Sequence, residues 1–142
     1  MDALTLYRWA HRLWRARVPL LPDILQGIIF VVFNSHIPYQ ADIGEGPQLG
    51  HRGISVVINR RAIIGKRVLI RAHVTIGTKV SGGAAPVIDD DVEVGDGAKV
   101  LGGVRIGRGA RIGANAVVVK DVPAGAVAVG VPAEILVGGV GA

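Results

Sequence analysis

Cysteine is absent from this chain of 142 residues. Its absence removes disulfides, thiolate zinc sites and a cysteine nucleophile, and it fits a cytoplasmic location. Aromatic residues are scarce, at 4%, although half of the residues are apolar. The core must therefore be built from Ile, Val, Leu and Ala, stacked as many similar small layers. So few aromatics make no base-stacking platform, and no recognition-helix pattern is present, so no nucleic-acid partner is expected. Long apolar runs are lacking too. The most apolar segment, Asp23–Phe33, falls short of the roughly 20 residues that cross a bilayer. Met1–Arg17 is punctuated by charge and has no apolar stretch of the kind a cleavable leader needs. Acidic side chains are outnumbered, 11 against 16 basic ones, for a net charge of +5. That balance suits an anionic partner, such as a phosphorylated cofactor or a membrane surface.

What the chain does have is a six-residue beat. Large aliphatic residues fall at Ile58, Ile64, Ile70 and Ile76, and again at Ile88, Val94, Val100, Ile106, Ile112 and Val118. A small or medium apolar residue follows four positions later, as at Ala62, Val68, Val74, Val92, Ala98, Val104, Ala110, Ala116 and Val122. A short fixed period of this kind defines a solenoid. Each hexad supplies one short strand and one turn, with the beat residue inward, the small residue in the corner, and Gly, Asp or Asn easing the turn. Three hexads close a triangular coil, and successive coils stack as parallel sheets about 4.8 Å apart. Residues 37–130 leave room for about five coils.

Two interruptions break the beat. Leu49 to Ile58 is nine residues, so the phase slips across Gly50-His51-Arg52-Gly53-Ile54-Ser55-Val56-Val57. Irregularity inside a strict repeat is where function is expected. The second interruption, Lys79–Pro86, reads as a loop projecting from the body. Residues 131–142 leave the beat as a C-terminal tail, with Val137–Ala142 expected to be mobile.

Residues 1–36 read as a helical segment. Asp2–Val18 is amphipathic, with Leu6, Ala10, Leu13 and Trp14 toward one side and Arg8, Arg12 and Arg15 on another. Pro19 and Pro22 are expected to break it before the apolar stretch Asp23–Phe33. Two roles stay open for this segment. It packs on the end of the repeat body or on a neighbouring subunit, or it lies on an anionic membrane as a peripheral anchor.

Over roughly Phe33–Leu136 the chain resembles the hexapeptide-repeat, left-handed β-helix acyltransferases, in particular the serine and polysaccharide O-acetyltransferase branch. The resemblance rests on Ile37-Pro38 leading to Ile43-Gly44, Leu49-Gly50-His51 with Val56-Val57-Ile58, and His73-Val74-Thr75-Ile76-Gly77. It continues in Ile112-Gly113-Ala114-Asn115-Ala116, Lys120-Asp121-Val122-Pro123 and Gly130-Val131-Pro132-Ala133. It implies an all-β, left-handed parallel β-helix behind a short helical segment. It also implies a homotrimer in which acetyl-CoA, with no metal, lies in a groove between adjacent prisms. His51 matches the catalytic histidine, whose neutral imidazole takes the proton of a hydroxyl as it attacks the thioester. Ala98 and Ala116 match positions where small side chains let pantetheine approach the backbone, and Lys120 matches a phosphate contact. His36, Arg52 and His73 are candidates for the acceptor pocket; His36, His51 and His73 are too dispersed in sequence for a zinc site.

The chain also departs from that pattern. Serine acetyltransferases carry His and Arg in the projecting loop before a Pro, where Ala84 and Ala85 precede Pro86 here. Gly50 and His36 stand where carboxylates are usual, and Glu134 stands where a basic residue helps to hold the nucleotide. The expectation is an acetyl-CoA-dependent O-acetyltransferase acting on a hydroxyl of a sugar, or of a lipid-linked envelope or capsule polysaccharide precursor. It would be cytoplasmic, at the inner face of the membrane if the N-terminus touches lipid. The alternatives are a serine acetyltransferase-like enzyme on a small amino acid or amine, and a non-catalytic β-helix trimer.

Overall fold

The computed structural model describes residues 1–136. Two helices come first, α1 (Ala3–Arg15) and α2 (Leu21–Phe33). The first coil carries β1 (Asp42–Ile43), β2 (Gln48–Leu49) and β3 (Val57–Ile58), and the second β4 (Ile63–Ile64), β5 (Leu69–Ile70) and β6 (Thr75–Gly77). The third has β7 (Val87–Ile88), β8 (Glu93–Val94) and β9 (Lys99–Leu101), and the fourth β10 (Arg105–Ile106), β11 (Arg111–Ile112) and β12 (Val117–Val118). β13 (Val127–Val129) and β14 (Glu134–Ile135) finish the fold. Three sheets form the prism faces: β1-β4-β7-β10, β2-β5-β8-β11-β13-β14 and β3-β6-β9-β12. Every pairing between named strands is parallel except β13 with β14. The solenoid is consistent with the left-handed β-helix expected, and it has about four turns rather than five. The stretch past β12 adds a strand to one sheet and does not close another triangle.

The beat residues form the interior. Ile58, Ile70, Ile76, Ile88, Val94, Val100, Ile106 and Val118 are all buried, and the corner residues Ala62, Val68, Val74, Val92, Ala98, Ala110 and Ala116 fill the angles between sheets. At Gly107 a Cβ would stand 2.3 Å from the Ala124 backbone nitrogen, so glycine there is what lets adjacent coils approach. Past the beat the tail stays bonded to the body. Gly130 accepts from Val117 N–H, and Ala133 N–H donates back to Val117, so the chain folds across the end of the prism before β14 reverses along β13. The mobility expected for Val137–Ala142 lies outside the described residues.

The helices dock on the other end. Asp2 caps α1 by accepting from the Thr5 amide at 2.9 Å. The buried face of α1 is Ala3, Leu4, Tyr7 and Ala10; of the apolar side read from the sequence Ala10 is buried and Leu6 packs against the core, while Trp14 remains 40% exposed. The physical reason lies in the first coil, whose outer edge presents unpaired carbonyls. Tyr7 donates its hydroxyl to Ala41 O, and the Arg8 guanidinium donates to Ile43 O at 2.9 Å and to Gly44 O. Satisfying those acceptors turns α1 onto its Tyr7 face. Pro22 opens α2 rather than separating it from the turn, because a proline in the first helical turn loses no intrahelical bond. Most of α2's apolar surface stays uncovered, including Ile24, Ile28, Phe30, Val31 and Val32. No helix among the described residues is long and apolar enough to cross a membrane.

Burial pushes the Tyr7 phenol above its usual value, with a backbone hydrogen bond at Ile43 and the Arg8 charge working the other way. The folded state therefore holds this proton more tightly than the unfolded chain does. Tyr7's contribution is whole below about pH 10 and is lost as pH rises from there through the folded value. Tyr7→Phe should begin about 1 kcal/mol less stable at neutral pH and should lack this alkaline loss. Urea unfolding at pH 8 and pH 11 reads both effects, and parallel curves for the two proteins would remove Tyr7 from the cap.

Candidate functional site

The phase slip becomes an irregular corner. Between β2 and β3 the chain makes a tight 3-10 turn at Gly50–Gly53, inside which His51 and Arg52 take left-handed backbone angles, φ 49° and 63°. Residues other than glycine reach that region only at a cost of order 1 kcal/mol or more. Ser35 secures the turn from beneath: its buried hydroxyl donates to Gly53 O and accepts from Val56 N–H at 2.9 Å. His51 and Arg52 are left exposed on the prism edge.

Later coils stack on the same edge. His73 N–H donates to Ile54 O at 3.2 Å, and Gly97 N–H to Ala72 O at 2.9 Å. At the corresponding tight position stand His73 (φ 59°), Gly97 (φ 73°) and Asn115 (φ 57°). A bulky imidazole thus occupies a site that glycine fills one coil later. This column brings together His51, Arg52, His73, Ala98 and Ala116. Ala98 and Ala116 are fully buried at 0% exposure, and their carbonyls accept from Thr75 and Lys99 N–H. They can meet a ligand only by leaving room beside the corner, not by side-chain contact. Sequence reasoning missed Lys99, whose ammonium lies along this edge on Gly97 O at 2.7 Å and His73 O at 3.3 Å. The one available signal was its place directly before the beat residue Val100, which turns its side chain outward.

Clefts flank the column. On one side Arg71 and Arg111 share the carboxylate of Glu93, at 2.8 and 3.9 Å, in a cleft that also holds Asp96, Gly95 and Gly113. On the other side a larger cleft of about 520 Å³ runs over the β3-β6 face. Gln26, His36, Pro38, Gln40, Asn59, Arg60 and Thr78 are among its lining residues. His36 therefore lies on a different face from His51. Lys120 lies further along the stack, in a separate cleft with Asp121 and Glu134. Two carboxylates beside one ammonium make that cleft a poor phosphate site within one protomer. Among the described residues no group of three or more His, Asp or Glu side chains could hold a metal ion.

This is the build of a hexapeptide-repeat solenoid, and residues 85–120 match the bacterial transferase hexapeptide (six repeats) family. The chain is similar to the serine acetyltransferase of Synechococcus elongatus, 40% identical over 137 residues, covering 95% of this chain and 56% of that protein. Among solved structures it is similar to Neisseria gonorrhoeae serine acetyltransferase in complex with serine. That match has a TM-score of 0.86 and 38% identity, covering 93% of this chain and 54% of the other. It is likewise similar to a serine acetyltransferase in complex with CoA, with a TM-score of 0.86 and 37% identity, covering 94% and 55%. The chain spans only about half, or less, of the length of such curated relatives, 38% of one from Arabidopsis thaliana. The resemblance to the serine O-acetyltransferase branch holds, and these relatives give no support to the sugar acceptor expected from the sequence.

Proposed function

We propose that this protein is an acetyl-CoA-dependent O-acetyltransferase acting on a small hydroxyl-bearing acceptor of the serine class. The observation that carries this reading is similarity along nearly the whole chain to serine acetyltransferases, one of them solved with CoA. The exposed, strained corner at His51 supports it. In the proposed reaction the His51 imidazole takes the acceptor's hydroxyl proton as its oxygen attacks the thioester carbonyl. A C–O bond forms, the C–S bond breaks, and the CoA thiolate leaves and recovers the proton from the imidazolium. Ala98 and Ala116 keep the edge slim enough for the pantetheine arm, while Arg108 or Arg111 would face the phosphates in place of Lys120, whose cleft holds Asp121 and Glu134. Arg52 and His73 would lie beside the acceptor, whereas His36, on another face, would reach one only across a subunit boundary. A homotrimer belongs to the same reading, because each edge column is a half-groove that a neighbouring prism would complete. So does a cytoplasmic location. The bare apolar face of α2 would serve a neighbouring subunit or, with the exposed Arg12, Arg15 and Arg17 earlier in the chain, an anionic membrane surface.

Calorimetric titration with acetyl-CoA tests the reading directly, together with thiol release in the presence of L-serine. Micromolar binding with serine-dependent release of CoA is expected. Absence of binding at millimolar acetyl-CoA would reject the transferase and favour a non-catalytic prism.

A further inference from the structure

Apart from Asp23 and Gln26, every side chain of α2 is apolar, and only one face of the helix is used. Pro22 and Ile29 are buried, and Phe33 packs against the core. On the outer side Leu21, Ile24, Ile28 and Val31 follow one another at spacings of three and four, which sets them in one stripe along the helix. All four are exposed, Val31 at 81%, and Leu20 at the head of the stripe is 72% exposed. A helix that is apolar all round is ordinarily covered all round. The charges nearby are of one sign. Asp23 is the one carboxylate between Ala3 and Ala41, and the Tyr39 hydroxyl donates to it at 3.0 Å. Of the arginines in that stretch, Arg8 is engaged with the carbonyls of Ile43 and Gly44. Arg12, Arg15 and Arg17 are exposed and take part in none of the ion pairs among the described residues. Arg17 stands three residues before Leu20 in the turn that opens α2. Both tryptophans of the chain, Trp9 and Trp14, are exposed on α1.

We propose that the pair of helices is a docking surface for an anionic lipid bilayer. The α2 stripe lies along the membrane plane, its side chains about 5–10 Å into the boundary between headgroups and acyl chains, and the arginines that precede it meet the anionic headgroups. With 13 residues α2 is too short to cross, so it rests on the bilayer. Tryptophan suits the same boundary, because its ring is apolar and its N–H is not. Charge selects this occupant over a second copy of the chain. A twofold contact sets a face against itself. The copy would bring the same three arginines, and its one carboxylate in this stretch is already bonded to Tyr39. A bilayer with anionic headgroups supplies both an apolar layer for the stripe and negative charge for the arginines. The inference goes beyond the transferase reading and does not depend on it: binding to lipid would stand whether or not acetyl-CoA binds.

The test mixes the full chain with vesicles of phosphatidylcholine alone, or of phosphatidylcholine and phosphatidylglycerol in equal parts. Co-sedimentation gives the bound fraction. Tryptophan emission reports the site, since both tryptophans lie on α1. Binding to the mixed vesicles with a blue shift is expected, and little binding to phosphatidylcholine alone. Arg15→Gln combined with Arg17→Gln should weaken binding about 10- to 30-fold, at about fivefold for each arginine. Arg60→Gln combined with Lys66→Gln removes the same charge from the prism body and should change it by less than about twofold, because headgroup attraction fades within a Debye length. Val31→Asp should weaken binding by about tenfold or more, since a carboxylate would have to leave water. Gly27→Glu should act likewise from the middle of the stripe, where an added Cβ meets nothing within 4 Å and the fold is left undisturbed. Equal binding to both kinds of vesicle would overturn the proposal, because the arginines would then play no part. Binding that Val31→Asp and Gly27→Glu both leave intact would overturn it too, since net charge alone would account for it. Absence of binding to either vesicle would sink it, and a smaller particle for Val31→Asp than for the native chain in light scattering would then assign the stripe to a second copy.

Discussion

Replacing His51 by alanine is expected to slow acetyl transfer by about 10²–10⁴-fold while acetyl-CoA still binds as before, the loss that follows removal of a general base. The residue sits where the repeat gives up its period and its ordinary backbone angles. A left-handed backbone at two consecutive residues other than glycine is costly, and the buried Ser35 hydroxyl holds the turn in place beneath them. The variant should unfold at the same urea concentration as the native protein, because His51 is exposed and the core beneath it is unchanged. A combination of normal stability, normal acetyl-CoA affinity and collapsed turnover is specific to a chemical role. Full turnover would move the base elsewhere on the edge, and His73, one coil away, would be the next residue to replace.

The largest effect on stability is expected at Ile76. This side chain is 0% exposed in β6, in register with Ile58 below and Val100 above. Ile76→Ala should cost about 2–5 kcal/mol, the range for emptying a buried aliphatic site. Whole domains are stable by only about 5–15 kcal/mol, so much of the margin would go. A solenoid has no distant packing to share the damage, since each coil touches only its neighbours. Urea unfolding would read this loss, and circular dichroism would show whether the transition divides into two steps around the damaged coil. A cost under about 1 kcal/mol would mean that adjoining layers close into the gap, contrary to their tight stacking.

The solenoid and its strand positions were legible because both follow from local period: the inward residue is aliphatic every sixth position and the corner residue is small. The broken phase between Leu49 and Ile58 marked the irregular corner for the same reason. What escaped depends on contacts between distant segments. The exact seat of α1, on its Tyr7 and Arg8 side, is set by carbonyls of Ala41, Ile43 and Gly44, which its own amphipathic pattern cannot reveal. The coil count was too high because the tail crosses the prism instead of closing another triangle. The cleft over β3 and β6 draws Gln26 from α2, His36 and Gln40 from the segment between α2 and β1, and Asn59 and Thr78 from two coils. No spacing along the chain announces such a meeting. The acceptor class stayed out of reach of the motifs for the same reason.

The reversed strand β14 has a consequence for assembly. A parallel stack is its own template: the last coil offers the next one the same row of hydrogen-bonding groups, and a second copy could continue it into a filament. Here α1 seals one end, and a strand running the wrong way follows β13 at the other. An antiparallel strand cannot serve as the floor for another parallel coil in the same register. That sheet therefore offers no edge on which a further parallel coil could continue in register.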